Sequence, residues 1–282
     1  MKTLTIVVVT YKEQLDVLKH CFDSVYTSTG VDFELVIVDN ASRPETRDLV
    51  ATYEGAVYVS NPENAGFAAA VNQGMRGRED RYVLLLNPDT AFAPDVLARM
   101  IANLDQDPEV GIASCVIRYP DKTLQESIRR FPTFWDQLLI MLKVPHFLKT
   151  KAIDRYMMTD ADPMKTQDVD SIMGAFMFIR RDLLQKIGLF DERYFIWFEE
   201  VDYCKMAHDA GFTIRHYGDV EMTHLKGHSF SKIATLRKQT WMRTSLRKYM
   251  KKHYGVMSWL VLWALTPLFI VLARVAAIVK PQ

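Results

Sequence analysis

Through the first third of the chain, apolar residues come in short unbroken runs that stop at polar ones. Leu4 to Val9 ends at Thr10-Tyr11, Leu35 to Val38 ends at Asp39-Asn40, Val57-Tyr58-Val59 is a shorter run, and Tyr82 to Leu86 leads to Asn87-Pro88-Asp89. Continuous β-branched and leucine-rich runs of this length predict strands buried on both faces, as in parallel sheets covered by helices. Between them the period changes. Leu15, Leu18, Cys21, Phe22 and Val25 recur every three or four residues, Phe67 to Met75 is alanine-rich, and Pro94 to Leu104 is a further helix. Strand, helix and strand thus alternate as in parallel crossover units. The second half is less regular, with strands predicted at Val110 to Ile117 and Ile172 to Ile179. Helices are predicted at Phe134 to Leu142 and at Glu200 to Ala210, the latter closed by Gly211. The fold class is α/β.

If the first strands run parallel, Thr10, Asp39 and Asp89 meet at one edge of the sheet, where ligands of such sheets bind. Each has an ordinary alternative: Asp89 as a helix cap or a turn residue with Thr90, Thr10 and Asp39 as caps or turn residues. Composition narrows the class. The 282 residues are 49% hydrophobic with a formal charge of +1, enough for a large core and too balanced for a general nucleic-acid binder. Cys21, Cys115 and Cys204 are far apart and fit reduced thiols, and no zinc-type spacing occurs. Met1-Lys2-Thr3 runs straight into a strand pattern without a secretory signal, so the catalytic part is expected inside the cell. No repeat is visible, nor a linker before about residue 230, which favours one domain.

Taken in order, five segments carry a resemblance. They are Thr5-Ile6-Val7-Val8-Val9-Thr10-Tyr11, Val36-Ile37-Val38-Asp39-Asn40-Ala41-Ser42, Asn64-Ala65-Gly66-Phe67 running on to Asn72-Gln73-Gly74, Leu84-Leu85-Leu86-Asn87-Pro88-Asp89, and Phe198-Glu199-Glu200-Val201-Asp202. Together they resemble the family 2 inverting glycosyltransferases, and within these the bacterial rhamnosyltransferase-type branch. The resemblance covers roughly residues 3 to 230. It implies the GT-A fold, a Rossmann-like mixed sheet flanked by helices, with a nucleotide-binding half at about 1–110 and an acceptor half at about 111–230. A basic and apolar segment, 231–282, follows as a membrane-associated helical part. The resemblance also implies a nucleotide-sugar donor and Mg²⁺ or Mn²⁺.

Inverting transfer needs a neutraliser for the departing diphosphate, a base for the acceptor hydroxyl, and a pocket presenting the anomeric carbon to both. By the resemblance, Asn87-Pro88-Asp89 stands where the family places a D-x-D-like motif, and Asp89 takes the metal role; Asn87 departs from a two-acid pattern. A hard dication held by one carboxylate and substrate phosphates keeps several waters. His224 is implied as a second ligand, and imidazole suits Mn²⁺ better than Mg²⁺. The alternative for His224 is a solvent-exposed loop histidine. His228 reads as a supporting or donor-phosphate contact, and Lys226 as added positive charge for the leaving group.

For the base, Glu199, Glu200 and Asp202 lie beside Tyr194, Phe195, Trp197 and Phe198. Mutual repulsion and desolvation there raise at least one pKa. The family's second acid is the base, a role that falls on Glu200, with Glu199 and Trp197 at the acceptor. The ordinary reading of the same acids is a helix N-terminus, and Asp202 is expected to cap that helix or hold Arg180 or Arg181. The resemblance implies that the donor base and ribose lie against Thr10, Tyr11, Glu13, Asp39 and Asn40, since the family uses the ends of its first two strands this way, and Asp39 is suited to accept from a pyrimidine N3–H. Asn64, Gly66, Phe67 and Asn72 are assigned to the ribose or diphosphate and Gly174 to the sugar, although Phe67 serves helix packing equally well.

Seven basic residues, Arg237, Lys238, Arg243, Arg247, Lys248, Lys251 and Lys252, precede 21 residues without formal charge, ending before Arg274. That length suits a bilayer core, and the basic flank would stay cytoplasmic. Pro267, Arg274 and Lys280 fit a kinked interfacial helix as well, and a buried soluble helix is the third reading. Phe134 to Leu148 is a possible second interfacial contact. The expected location is the cytoplasmic side of the cell membrane, peripheral or with one C-terminal membrane helix. A soluble donor used at the inner leaflet favours a lipid acceptor, and the branch resemblance implies a polyprenyl-diphosphate-linked saccharide, an intermediate of O-antigen, cell-wall or capsule polysaccharide. Resemblance points to dTDP-rhamnose as donor. A nucleotidyltransferase would need a glycine-rich basic phosphate loop, which Thr10-Tyr11-Lys12-Glu13 is not. A catalytically inactive membrane-tethered sugar-nucleotide or polysaccharide-binding module is favoured only by Asn87 and by Glu199-Glu200.

Overall fold

A computed structural model describes residues 2–146, 148–225 and 235–279. The first half alternates as its pattern predicts: β1 (Leu4–Thr10), α1 (Leu15–Tyr26), β2 (Phe33–Asn40), α2 (Pro44–Val50), β3 (Val57–Asn61), α3 (Phe67–Met75), β4 (Tyr82–Leu86), β5 (Thr90–Ala91) and α4 (Val96–Gln106). There follow β6 (Val110–Arg118), β7 (Ile128–Arg129), α5 (Phe134–Met141), α6 (Lys151–Met157), β8 (Gln167–Asp168), β9 (Ser171–Ile172), β10 (Phe176–Arg180), α7 (Arg181–Ile187), α8 (Glu199–Asp209) and β11 (Thr213–His224). Three helices close the described chain: α9 (Thr235–Tyr254), α10 (Val256–Ala264) and α11 (Thr266–Val279).

The main sheet has the order β3-β2-β1-β4-β10-β6-β11-β5, with β8 alongside β11. β1, β2, β3 and β4 are parallel, β10 is reversed between β4 and β6, and β11 runs parallel to β6. The carboxyl ends of β1, β2, β4, β6 and β11 therefore share one edge. All seven residues of β1 are buried, and its side chains alternate between layers. Leu4, Ile6 and Val8 join the core under α1 and α4, while Val7 and Val9 join the core under α3, α7 and α8. Gly74 fits this second layer because a Cβ would stand 2.4 Å from a Val7 methyl, so α3 can lie directly on β1 only with glycine there.

Two departures from the sequence pattern matter for function. The apolar run Ile172 to Ile179 is two strands, β9 and β10, interrupted at Met173–Ala175. The uncharged C-terminal stretch is divided into α10 and α11, and among the described residues no helix is long and apolar enough to cross a membrane. The basic helix α9 does not project from the domain. Leu246, Tyr249 and Met250 form a third core with Met141 of α5, Tyr194, Phe198, Leu262 and Phe269.

Candidate active site

Where β4 ends, Pro88 stops the strand and Asp89 turns towards β11. β5 and β11 pair with His224 opposite Thr90, and Leu225 N donates to the Asp89 carbonyl at 2.9 Å. His224 Nε2 then lies 3.2 Å from Asp89 Oδ1, with both side chains almost entirely buried. His224 is thus a buried strand-end residue, not an exposed loop histidine. Its Nδ1 donates to Gln125 Oε1 at 2.7 Å, which assigns the tautomer and leaves the Nε2 lone pair facing Asp89 and, at 3.3 Å, Asn87 Nδ2. An oxygen and a nitrogen donor 3.2 Å apart have the spacing of neighbouring ligands around a cation with bonds of about 2.1 Å. Among the described residues no group of three His, Cys, Asp or Glu could hold a metal ion, so a cation here would draw its other ligands from water and substrate.

The acid pair begins α8. Trp197 and Phe198 are left-handed, with φ of 63° and 70°, a backbone state costing on the order of 1–3 kcal/mol per residue. The double turn aims Glu199 and Glu200 inward from the helix start. One oxygen of each, Oε2, is buried without a hydrogen-bond partner. Burial, and then the neighbouring charge of Glu200, push Glu199 well above the carboxylate range. Burial pushes Glu200 up to about 7, although backbone N–H groups at the helix start act in the opposite sense. Asp202, one turn on, differs. It is paired with Lys252 at 2.6 Å and His253 at 2.7 Å, both from α9, while Arg180 and Arg181 bond to backbone carbonyls elsewhere, which corrects the expected arginine partner.

Met173–Ala175, the interruption between β9 and β10, joins the two constellations. A Cβ on Gly174 would lie 3.5 Å from Glu200 Cβ, and the carbonyl of the next residue, Ala175, accepts from Asn87 N at 3.0 Å. The acid pair and the Asp89–His224 pair therefore flank one short segment.

An open cleft of about 620 Å³ adjoins them, lined by Tyr11, Glu13, Asn40, Asn64, Gly66, Phe67, Asn87 and Pro88, with Phe195, Ile196 and Trp241 opposite. The residues 190–198 form its far wall and are tied down on several sides. Gly66, at φ +90°, approaches Phe195 so closely that a Cβ would stand 2.7 Å from its carbonyl oxygen, and Phe67 N donates to that oxygen at 2.7 Å. Asn64 Oδ1 accepts from Gly66 N at 2.9 Å. Ser245 Oγ donates to Ile196 O at 2.8 Å, and Trp241 packs on Phe195.

The nucleotide set expected from the sequence is not gathered as a whole. Thr10 pairs with Asp39 across β1 and β2 but is fully buried and lines no part of the cleft. Asp39 opens into a neighbouring cleft with Ser42, Arg43, Arg47 and Tyr58, its carboxylate accepting from Ser42 N and the Tyr58 hydroxyl. Asn72 is buried, and its amide is spent on Phe190 and Glu192, holding residues 190–198 to α3 in place of a ribose or diphosphate contact. Trp197 is half-buried against the third core. Lys226 and His228 lie outside the described residues. Sequence reasoning missed Gln125, Tyr58 and Trp241. A lone tryptophan among basic residues was a signal for the last; Gln125 offered none.

Comparison with known proteins identifies the architecture. A profile of glycosyl transferase family 2 matches residues 5–188. An N-acetylglucosaminyl-diphospho-decaprenol L-rhamnosyltransferase of Mycobacterium tuberculosis is 25% identical over 238 residues, 80% of this chain and 77% of that protein. Rhamnosyltransferase WbbL of Escherichia coli is 26% identical over 204 residues, 70% and 74% of the two chains. The mannosyltransferase PcManGT of Pyrobaculum calidifontis, crystallised with GDP-Man and Mn²⁺, superposes with a TM-score of 0.60 at 18% identity, over 100% of this chain and 76% of its own. The shared mixed sheet flanked by helices is the GT-A fold.

Proposed function

From the premise that the chain belongs to glycosyl transferase family 2, we propose that it moves a sugar, rhamnose from dTDP-rhamnose, onto a polyprenyl-diphosphate-linked saccharide with inversion at the anomeric carbon. One observation carries this reading: a desolvated acid near neutrality, Glu200, stands beside Gly174, and the next residue, Ala175, accepts from the backbone N–H of Asn87, two residues before Asp89 of the Asp89–His224 pair. The names of the rhamnosyltransferase relatives support the sugar and the acceptor class.

Glu200 accepts the proton of the acceptor hydroxyl as its oxygen bonds to the anomeric carbon, while the bond to the nucleoside diphosphate breaks on the opposite face. A pKa near the working pH suits this transfer. Glu199, held protonated by burial and by its neighbour, positions the acceptor as a hydrogen-bond donor. Asp89 and His224 are the residues that would hold Mg²⁺ or Mn²⁺, which supplies charge neutralisation for the leaving diphosphate when bound. Tyr11, Glu13, Asn40 and Asn64 receive the nucleoside. Exposed Trp135, Met257 and Trp263, at 67%, 71% and 58%, support a peripheral seat on the inner membrane face.

The test is release of nucleoside diphosphate from a panel of UDP-, GDP- and dTDP-sugars with polyprenyl-diphosphate-linked N-acetylglucosamine and Mg²⁺ or Mn²⁺. Acceptor-dependent release from dTDP-rhamnose, lost in Glu200→Gln, is expected. Release from another donor would replace the sugar, and release from none despite nucleotide binding would overturn the transferase reading.

A further inference from the structure

On the side of α9 facing α5 and α11, three cations come together that no carboxylate answers. Arg243 and Arg247 are one turn apart on α9, and Lys143 follows α5. Lys143 and Arg243 line an open cavity of about 290 Å³ with Met141, Gln239, Met242 and Phe269. Arg243 is only 8% exposed, and its guanidinium meets Gln239 Oε1 at 3.2 Å. Arg247 meets the hydroxyls of Thr266 and Thr244 at 3.1 and 3.5 Å. Among the described residues no carboxylate contributes to the surroundings of any of the three. Residues 222–282 contain no aspartate or glutamate.

The contrast with Lys252 on the same helix is informative, since that ammonium is paired with Asp202 at 2.6 Å. Burial lowers the pKa of Lys143, Arg243 and Arg247, and each of the first two is lowered further by the next cation. Grouped cations with neutral partners are costly in a half-buried site unless an anion joins them. The rest of the lining is largely apolar, with Met141, Met242 and Phe269, and α11 exposes Leu268 and Val271 elsewhere on its surface. An anion bearing a hydrocarbon matches both features. The cluster also connects to the acid pair through α5. Tyr156 lies among Glu200, Asp136 and Gln137, and Met141, one turn beyond Gln137 and about 6 Å along the helix, lines the cation cavity.

We propose that Lys143, Arg243 and Arg247 bind the diphosphate of a lipid-anchored acceptor, whose hydrocarbon lies on the apolar faces of α10 and α11. The proposal rests on the acceptor class inferred above. It assigns recognition of the diphosphate to a place separate from the donor cleft, with phosphate oxygens replacing the missing carboxylates.

The test measures binding of farnesyl diphosphate, inorganic pyrophosphate and farnesol to the full chain by calorimetry, beside binding of dTDP and of phosphatidylcholine vesicles with and without phosphatidylglycerol. Farnesyl diphosphate should bind more tightly than either fragment. Lys143→Gln and Arg247→Gln should each weaken it about tenfold or more with dTDP affinity unchanged, and Arg247→Lys should restore most of the loss. Unchanged dTDP affinity also shows that the variants are folded. Farnesyl diphosphate binding that is absent in the wild type, or unaffected in both variants, overturns the proposal. So does a loss confined to phosphatidylglycerol vesicles, which would assign the cluster to membrane headgroups. If farnesyl diphosphate binding falls as expected but no nucleotide-sugar is turned over, the anion site stands and the transferase reading falls.

Discussion

Asp89 lies just beyond the end of β4 and Glu200 in the first turn of α8, and both are tied to the Gly174-Ala175 segment, Glu200 directly and Asp89 through Asn87, yet their surroundings differ in kind. Asp89 has an imidazole nitrogen 3.2 Å away, oriented from behind by Gln125, whereas Glu200 has another carboxylate as its sequence neighbour and a buried oxygen without a partner. One carboxylate is arranged to share a positive charge and the other is prevented from holding its negative charge easily. On the proposed reading the same functional group serves charge neutralisation at one place and proton transfer at the other, and what distinguishes the two is the set of groups around each.

The largest effect that tests this division is Glu200→Gln. It preserves shape and removes the proton acceptor, so the transfer rate should fall about 10²–10⁴-fold while nucleotide-sugar affinity stays within a few-fold in titration. A drop in affinity of the same size as the drop in rate would place Glu200 in donor binding and dissolve the contrast with Asp89. Asp89→Asn is its counterpart. It should cost a comparable factor, and here the loss should appear in metal-dependent donor affinity. Chelation of divalent ions should silence the wild type and have little further effect on Asp89→Asn. His224→Ala should fall between, because the anionic one of the two proposed ligands remains.

A smaller effect is read in pH. Because Glu200 is raised to about 7, the transfer rate should climb with pH through about 7 as the carboxylate deprotonates. The sign for stability is opposite. The native state holds a proton on Glu200 that the unfolded chain releases near its ordinary value of 4.5, so folding stability falls as pH rises from there to about 7. Glu200→Gln should remove that fall and raise stability above pH 7 by on the order of 1–3 kcal/mol, measured by denaturant unfolding at paired pH values.

The two regions were not equally legible in the sequence. β1, α3 and β4 announce themselves because both faces of the strands are apolar and the alanines of α3 keep a clean helical period, and Asp89 follows from where β4 must stop. The acid pair was visible as composition, but the left-handed Trp197-Phe198 turn that buries it was not, since neither residue favours that conformation and only surrounding packing imposes it. β11 went unread for a related reason: polar Arg215, Asp219 and Glu221 interrupt its apolar pattern, each answered by a partner distant in sequence. The docking of α9 was hidden too. Its lysines look like a solvated or lipid-facing surface until Lys252 is seen on Asp202, an ion pair between residues 50 positions apart.

The smallest effect compares two glycines that the sequence assigned alike to donor contact. Gly66 adopts φ +90° with Phe195 O only 2.7 Å from a would-be Cβ, so Gly66→Ala must strain the backbone and push back residues 190–198. It should destabilise the fold by roughly 1–3 kcal/mol and lower donor affinity and rate together. Gly174 has an ordinary φ and a would-be Cβ at 3.5 Å from Glu200 Cβ, a normal van der Waals distance. Gly174→Ala should therefore fold with stability changed by less than about 1 kcal/mol. The added methyl displaces solvent from beside Glu200, and further desolvation disfavours its charged form, so the ascending limb of the pH–rate profile should move upward by a few tenths of a unit. Asp89 is approached from this segment only through the Ala175 carbonyl on Asn87, so metal dependence should be untouched. An equal change in metal affinity would mean that the two carboxylates answer to one shared environment, and that the separation between them lies in the bound metal and not in the protein.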